Sequence, residues 1–205
     1  MIKLLKYICF KIYAIGHVEY GRRIKGILRK GYDEIAIIDS TASITATGKI
    51  RNSQLNRNKI VIGNNSIISG DILVFKHGGE VIIGEHSFVG PGSIIWSAKK
   101  IKIGNRVLIA HNVNIHDNNT HPLDAKLRHE DFVHIFAKGL QSDIDLREAE
   151  VVIEDDAWIG FNSIIMKGVT IGKGAIIGAG SVITHDIPAY AVAVGNPVRI
   201  IKYLQ

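Results

Sequence analysis

Between Ile153 and Pro188 the chain runs through one six-residue frame six times without a break, from Ile-Glu-Asp-Asp-Ala-Trp to Ile-Thr-His-Asp-Ile-Pro. The same frame starts at Ile62, Ile68 and Val74, at Ile83, Val89 and Ile95, and at Ile103, Ile109 and Ile115. A short fixed period marks a stack of identical small units rather than a set of independent elements. All fifteen first positions are Ile or Val, which suit a pleated, buried strand and fit poorly in a helix. The fourth position is Gly, Asn or Asp in eleven hexads: Asn65, Asp71, Gly92, Asn112, Asn118, Asp156, Asn162, Gly168, Gly174, Gly180 and Asp186. These residues tolerate the left-handed conformation of a tight corner.

Each hexad is therefore expected to be a short strand followed by a corner. Three hexads close a triangular coil, and coils stack at about 4.8 Å, the spacing of hydrogen-bonded strands. The predicted fold is all-β, a parallel β-prism over residues 37–202. Ile38, Ile44 and Ile50 mark an imperfect first coil, followed by a polar interruption at 51–59. Extra residues after Val74 and Ile95 read as small corner bulges. The hexad at Ile153 starts 38 residues after the one at Ile115, so a long loop, residues 116–150, leaves the prism there. Long loops on rigid scaffolds are commonly functional.

Residues 1–36 are expected to form a separate basic segment with short helical character. Residues 1–30 carry Lys3, Lys6, Lys11, Arg22, Arg23, Lys25, Arg29 and Lys30 against Glu19 alone, a net charge of +7, whereas the whole chain carries +6. The remainder is therefore close to neutral, at −1. Confining the excess to one end argues against a nucleic-acid-binding face. Interleaved with Ile2, Leu4, Leu5, Ile8, Phe10 and Ile12, the charge fits an interfacial helix on an anionic membrane, or a helix packed on the prism end or a neighbouring subunit. The apolar run is too short and too often interrupted by lysine to span a bilayer, and it lacks a cleavage site. A single cysteine, Cys9, excludes a disulfide within the chain. The expected location is cytoplasmic, with possible peripheral attachment to the inner face of the membrane.

The hexads, the long Thr120-His121-Pro122 loop and the downstream Trp158-Ile159-Gly160 together resemble the hexapeptide-repeat acyltransferases, in particular the galactoside, maltose and surface-polysaccharide O-acetyltransferases. The resemblance covers roughly residues 38–202. It implies a left-handed parallel β-helix, a homotrimer with active sites between subunits, and acetyl-CoA as acyl donor to a sugar acceptor. His121 is the implied catalytic base, since an imidazole titrates near the working pH. Asp117 and Asp124 are candidates to orient the imidazole or to contact the acceptor. Trp158 is implied near the active site, with Gly160 and Asn162 along the thioester slot; an interface role for Trp158 fits equally. Gly178, Ala179, Thr184, His185, Gly195, Pro197 and Arg199, with Lys202, resemble the coenzyme A segment, His185 standing where relatives often have lysine.

Three other readings stay open on sequence alone. An N-acyltransferase for a nucleotide-linked amino sugar would use the same prism. A zinc hydratase resembling the γ-class carbonic anhydrases would need His86, His111 and His116 as ligands, whereas the acyltransferase reading expects no metal. A scaffold without catalysis is the third.

Overall fold

The structure, a computed structural model, describes residues 31–204. Residues 1–30, with the basic segment and Cys9, lie outside the described residues. The rest is a three-sided prism of parallel strands, as the repeat requires.

Its first face stacks Ile37–Ile38, Ile60–Ile62, Val81–Ile83, Ile101–Ile103, Val151–Ile153 and Thr170–Ile171. The second stacks Ser43–Ile44, Ile67–Ile68, Phe88–Val89, Leu108–Ile109, Trp158–Ile159, Ile176–Ile177 and Ala191–Val194, and Arg199–Tyr203 folds back antiparallel on its last strand. The third stacks Lys49–Asn52, Asp71–Val74, Ile94–Ser97, Asn114–His116, Ile164–Ile165 and Val182–Ile183. Register is one coil onto the next, so Ile44 lies over Ile68, Ile68 over Val89, Val89 over Ile109 and Ile109 over Ile159. All fifteen first-position residues are buried, none exposing more than 1% of its surface. The core is a column of β-branched side chains along the prism axis, and it begins with Ala36, Ile38, Ile44 and Ile50.

Eight of the eleven fourth-position residues named above take the left-handed conformation, with φ between 52° at Asn65 and 75° at Gly168. His86 and Arg106 occupy the same corner position at φ 55°. Arg106 is held there by both carboxylate oxygens of Asp156, at 2.6 and 3.0 Å, and hydrogen bonding from this guanidinium draws the Asp156 carboxyl below its usual range. The other three turn no left-handed corner: Asp71 opens a strand, Asn118 is buried at the start of the excursion, and Asp186 accepts the Thr170 N–H at 2.7 Å.

Buried serines join the corners of successive coils. Ser66 Oγ donates to the Gly84 carbonyl at 2.7 Å and accepts the Ser87 N–H at 2.9 Å; Ser87 Oγ donates to the Gly104 carbonyl and accepts the Val107 N–H. Each hydroxyl thus satisfies backbone groups that a corner would otherwise leave buried and unpaired. The coils pack closely enough there that a Cβ on Gly84 would sit 2.7 Å from the carbonyl carbon and oxygen of Gly104.

The excursion is where the fold departs from expectation. Instead of an irregular loop it carries a 14-residue α-helix, Ala125–Lys138, opened by Asp124 and closed by Gly139 at φ 82°. Among the described residues no helix is long and apolar enough to cross a membrane.

Gly84→Ala should lower stability by about 1–3 kcal/mol, because the new methyl can be housed only by opening the spacing between two coils. Gly180→Ala, at a left-handed corner where a new Cβ meets nothing within 4 Å, should cost only the smaller left-handed strain. Thermal unfolding of the two variants beside the unaltered protein checks the order.

Candidate active site at the mouth of the excursion

The chain leaves the third face at His116, and the next five residues are fixed one by one. Asp117 is fully buried. Its carboxylate accepts the Ser97 hydroxyl at 2.6 Å, the backbone N–H groups of Ala98 and Lys99 at 2.7 and 2.9 Å, and the side-chain amide of Asn118 at 2.9 Å. Four donors on one carboxylate account for its charge in a site closed to water. Asn118 passes the constraint on by accepting the Thr120 N–H at 2.7 Å. Thr120 is thereby held at φ 67°, a left-handed conformation that β-branched residues avoid. Strain of this kind persists only where surrounding contacts over-determine it. The next residue is His121, whose N–H bonds back to the Asn119 carbonyl at 2.7 Å.

The His121 imidazole is part-buried, its side chain 39% exposed, and its Nδ1 lies 2.7 Å from Asp131 Oδ2. A carboxylate can only accept, so Nδ1 carries the proton and the lone pair is left on Nε2. Asp131 is 3% exposed and is the only buried residue of the excursion helix. Its other oxygen accepts the Gln141 side-chain amide at 2.9 Å. Asp124 accepts the N–H groups of Lys126 and Leu127, both at 2.9 Å, and so caps the first turn that leads to Asp131.

The two carboxylates offered by the sequence therefore have other work. Asp117 is closed off beneath the strained turn and bonds to no imidazole, while Asp124 is a helix cap. The carboxylate on His121 is Asp131, which sequence reading missed together with Gln141. The ends of the helix carried a signal, with Asp124 as cap and Gly139 as terminator, but nothing in the sequence marked which of its residues meets His121.

A cavity of about 540 Å³ lies between the helix and the returning chain, with Pro122, Leu127, Asp131, Gln141 and Arg147 on its wall. His121 does not line that cavity, and its Nε2 has no hydrogen-bond partner among the described residues.

The remaining sequence candidates fall along the second face and the corner after it. Trp158 projects from the second face, half exposed, in line with Leu108 and Ile176 of the adjoining coils. Gly160 and Gly178 stack at the corner, where a Cβ on Gly160 would meet the Ala179 nitrogen at 2.6 Å, so only glycine allows the coils to close there. Asn162 turns the corner at φ 57°, and Ala179 is exposed beside it. Gly195 N–H bonds to Ser181 Oγ at 2.9 Å, bringing the final turn of Gly195 and Pro197 against the last full coil. Thr184, His185, Arg199 and Lys202 are all exposed.

Within the single chain the three histidines of the zinc reading lie apart. His86 turns a corner with Nε2 3.5 Å from the Asn65 amide, His111 stacks on Phe161 at 5.1 Å, and His116 packs on Trp96 at 5.4 Å. These imidazoles have three separate sets of neighbours and do not converge. Burial pushes the His116 imidazole below its usual pKa, with Asp117 opposing.

These features define a parallel β-prism with a histidine-bearing excursion, and the chain is similar to known proteins. A sequence profile described as bacterial transferase hexapeptide (six repeats) matches residues 150–185, and one described as hexapeptide repeat of succinyl-transferase matches residues 80–116. Galactoside O-acetyltransferase of Escherichia coli K12 is 31% identical over 152 residues, 74% of this chain and 68% of that protein. Among solved structures, the polySia-specific acetyltransferase NeuO superposes with a TM-score of 0.63 at 28% identity, covering 82% of this chain and 71% of that one. The hexapeptide-repeat acetyltransferase VCA0836 of Vibrio cholerae, in complex with acetyl coenzyme A, gives 0.56 at 29%, covering 70% of each chain. The chain spans 58% and 57% of the length of two putative yeast acetyltransferases that it also matches. It belongs to the hexapeptide-repeat acetyltransferase family, and its prism is the left-handed parallel β-helix of that family.

His116 supplies a pH dependence with a definite sign. Its folded pKa lies below the unfolded value, so the unfolded state binds more protons, and stability falls as pH drops through the unfolded value of about 6.5 toward the lower folded one. His116→Phe should flatten the loss of thermal stability between pH 7 and pH 5 relative to the unaltered protein, read by melting curves across that range.

Proposed function

We propose that the protein is an acetyl-CoA-dependent O-acetyltransferase acting on a sugar hydroxyl, in a surface polysaccharide or a lipid-linked glycan precursor. The observation that carries this reading is the His121 imidazole, 39% exposed, with Nδ1–H engaged by a buried carboxylate and Nε2 left free. Nε2 takes the proton of the acceptor hydroxyl as its oxygen attacks the thioester carbonyl. The tetrahedral intermediate then collapses, the C–S bond breaks, and the coenzyme A sulfur leaves with the proton from the imidazolium. The products are the acetyl ester and free coenzyme A, and no acyl-enzyme is needed.

Acetyl-CoA is assigned to the second face and its corner. Trp158 borders the reactive end. Gly160, Asn162, Gly178 and Ala179 leave backbone uncovered along an extended pantetheine, and Thr184, His185, Gly195, Pro197 and Arg199 lie toward the phosphates, where the guanidinium suits bidentate contact. Support comes from the acetyl-CoA complex of VCA0836 and from the sugar substrate named for the galactoside relative. The preference for a lipid-linked acceptor rests on the basic, apolar residues 1–30.

The working form is a homotrimer with its sites between subunits. His121 does not line the cavity beside Asp131. Two apolar surfaces lie open: Ile67, Leu108 and Trp158 on the second face, between 42% and 51% exposed, and Phe132 and Phe136 on the excursion helix, 51% and 80% exposed. Different patches on one molecule that cover each other between copies make a heterologous contact, which closes into a trimeric ring when its rotation is one third of a turn.

His121→Ala should abolish coenzyme A release, assayed with acetyl-CoA over a panel of hydroxyl and amino sugars, while leaving acetyl-CoA binding within a few-fold. Retained turnover removes His121 from the role, and turnover confined to amino sugars replaces O- by N-acylation. Light scattering should return three times the 22.5 kDa chain mass, and Phe136→Asp should reduce it.

A further inference from the structure

The excursion helix has an arrangement that burial of apolar surface does not explain. Of its fourteen residues the one that is buried is a carboxylate, Asp131, whereas Phe132, Val133 and Phe136 point outward. Helices ordinarily bury their apolar stripe and expose their charges. Here the orientation puts one acid, whose burial is costly unless it is fully bonded, against one imidazole. Both oxygens are used: Oδ2 by His121 Nδ1 at 2.7 Å and Oδ1 by Gln141 Nε2 at 2.9 Å. The helix that delivers it is capped by Asp124, and His121 itself follows the strained Thr120 turn fixed through Asn118 and Asp117. Two independent sets of restraints, one on the backbone and one on the ring, converge on a single histidine.

We infer that Asp131 is the positioning residue of this site, and that with Gln141 it sets which nitrogen of His121 carries the proton. The inference rests on the reading of His121 as the base. Asp131 touches no reacting atom; it holds Nδ1–H and thereby reserves the Nε2 lone pair for the acceptor hydroxyl. Gln141 biases the choice. Its amide donates to Oδ1, so an asparagine at 131 would turn its own carbonyl toward Gln141 and its NH₂ toward the imidazole. Nδ1 would then have to accept, the proton would move to Nε2, and the base would be blocked with little change in shape. No electron or group transfer passes through Asp131.

The test uses the full chain labelled with ¹⁵N-histidine, with and without substrates. Nitrogen chemical shifts at neutral pH should report His121 protonated on Nδ1 in the unaltered protein and on Nε2 in Asp131→Asn. The same variant should lose kcat by on the order of 10²-fold or more, with KM for both substrates within about threefold. Asp131→Ala should lose the tautomer preference altogether and fall at least as far in kcat. A protein in which His121→Ala is inactive while Asp131→Asn keeps the Nδ1 proton and a kcat within about threefold overturns the positioning role and leaves the base intact. Turnover retained in His121→Ala removes the base reading itself, and the tautomer measurement, which needs no turnover, still decides whether Asp131 directs the proton.

Discussion

Parallel strands bond in register, so each coil of the prism must lay its inward side chains directly over those of the coil before it. The constraint reaches every level of the molecule. It demands β-branched residues at one place in six, because a column of Ile and Val can interlock with the next layer only if each χ1 well is the same. It demands that corners pass within contact of one another, which is why Gly84 faces the Gly104 carbonyl and why serine hydroxyls tie successive corners. A residue added within a strand would shift every later side chain out of the column. Additions are tolerated only at corners.

The additions all fall on one corner, the passage from the third face to the first, after Ile50, Val74, Ile95 and Ile115. They stack as the coils stack. Gln54 in the first donates to the carbonyls of Phe75 and Gly79 in the second; Ser97 leads into the third and bonds to Glu80; Ala98 and Lys99 of the third donate to Asp117 at the root of the fourth. Leu73, Phe75 and Ala98 form a second small core there, with Trp96 and Leu140 packed on it, and His77 holds Glu148 of the returning chain at 3.2 Å. The bulges are footings for the excursion. Asp117 is the joint between the two, since one carboxylate bonds the third bulge below it and the turn before His121 above.

The repeat made the prism legible from spacing alone, because burial on a period of six leaves few other ways to fold. The positions of the insertions were equally legible, as gaps in that period. Their cooperation was not, since it depends on side chains such as Gln54 and Asp117 meeting across coils some twenty residues apart. His121 could be named because it stands at the loop mouth, yet its carboxylate could not be chosen among Asp117, Asp124 and Asp131 by proximity in sequence. Local bonding decided: Asp117 was consumed by four donors around it, Asp124, the nearest in sequence, by a helix terminus, and Asp131 was brought back by ten residues of chain, seven of them helical. Helical periodicity in 125–138 is masked by that same function, because the residue turned inward is polar and the apolar ones are turned out.

This inversion bears on how firmly the site is held. A helix of 14 residues is marginal by itself in water, and in proteins most helical stability comes from a packed apolar face. Among the described residues the excursion helix packs no such face. What holds it is the Asp124 cap, worth about 1 kcal/mol, and the Asp131 pair, whose bonds must first offset the desolvation of the carboxylate. Covering Phe132 and Phe136 would add about 1.5–3 kcal/mol for each ring fully buried. Under the trimeric reading, the contact that covers these rings also fixes the helix and so the imidazole tautomer, which couples assembly to the readiness of the base without any movement of the prism.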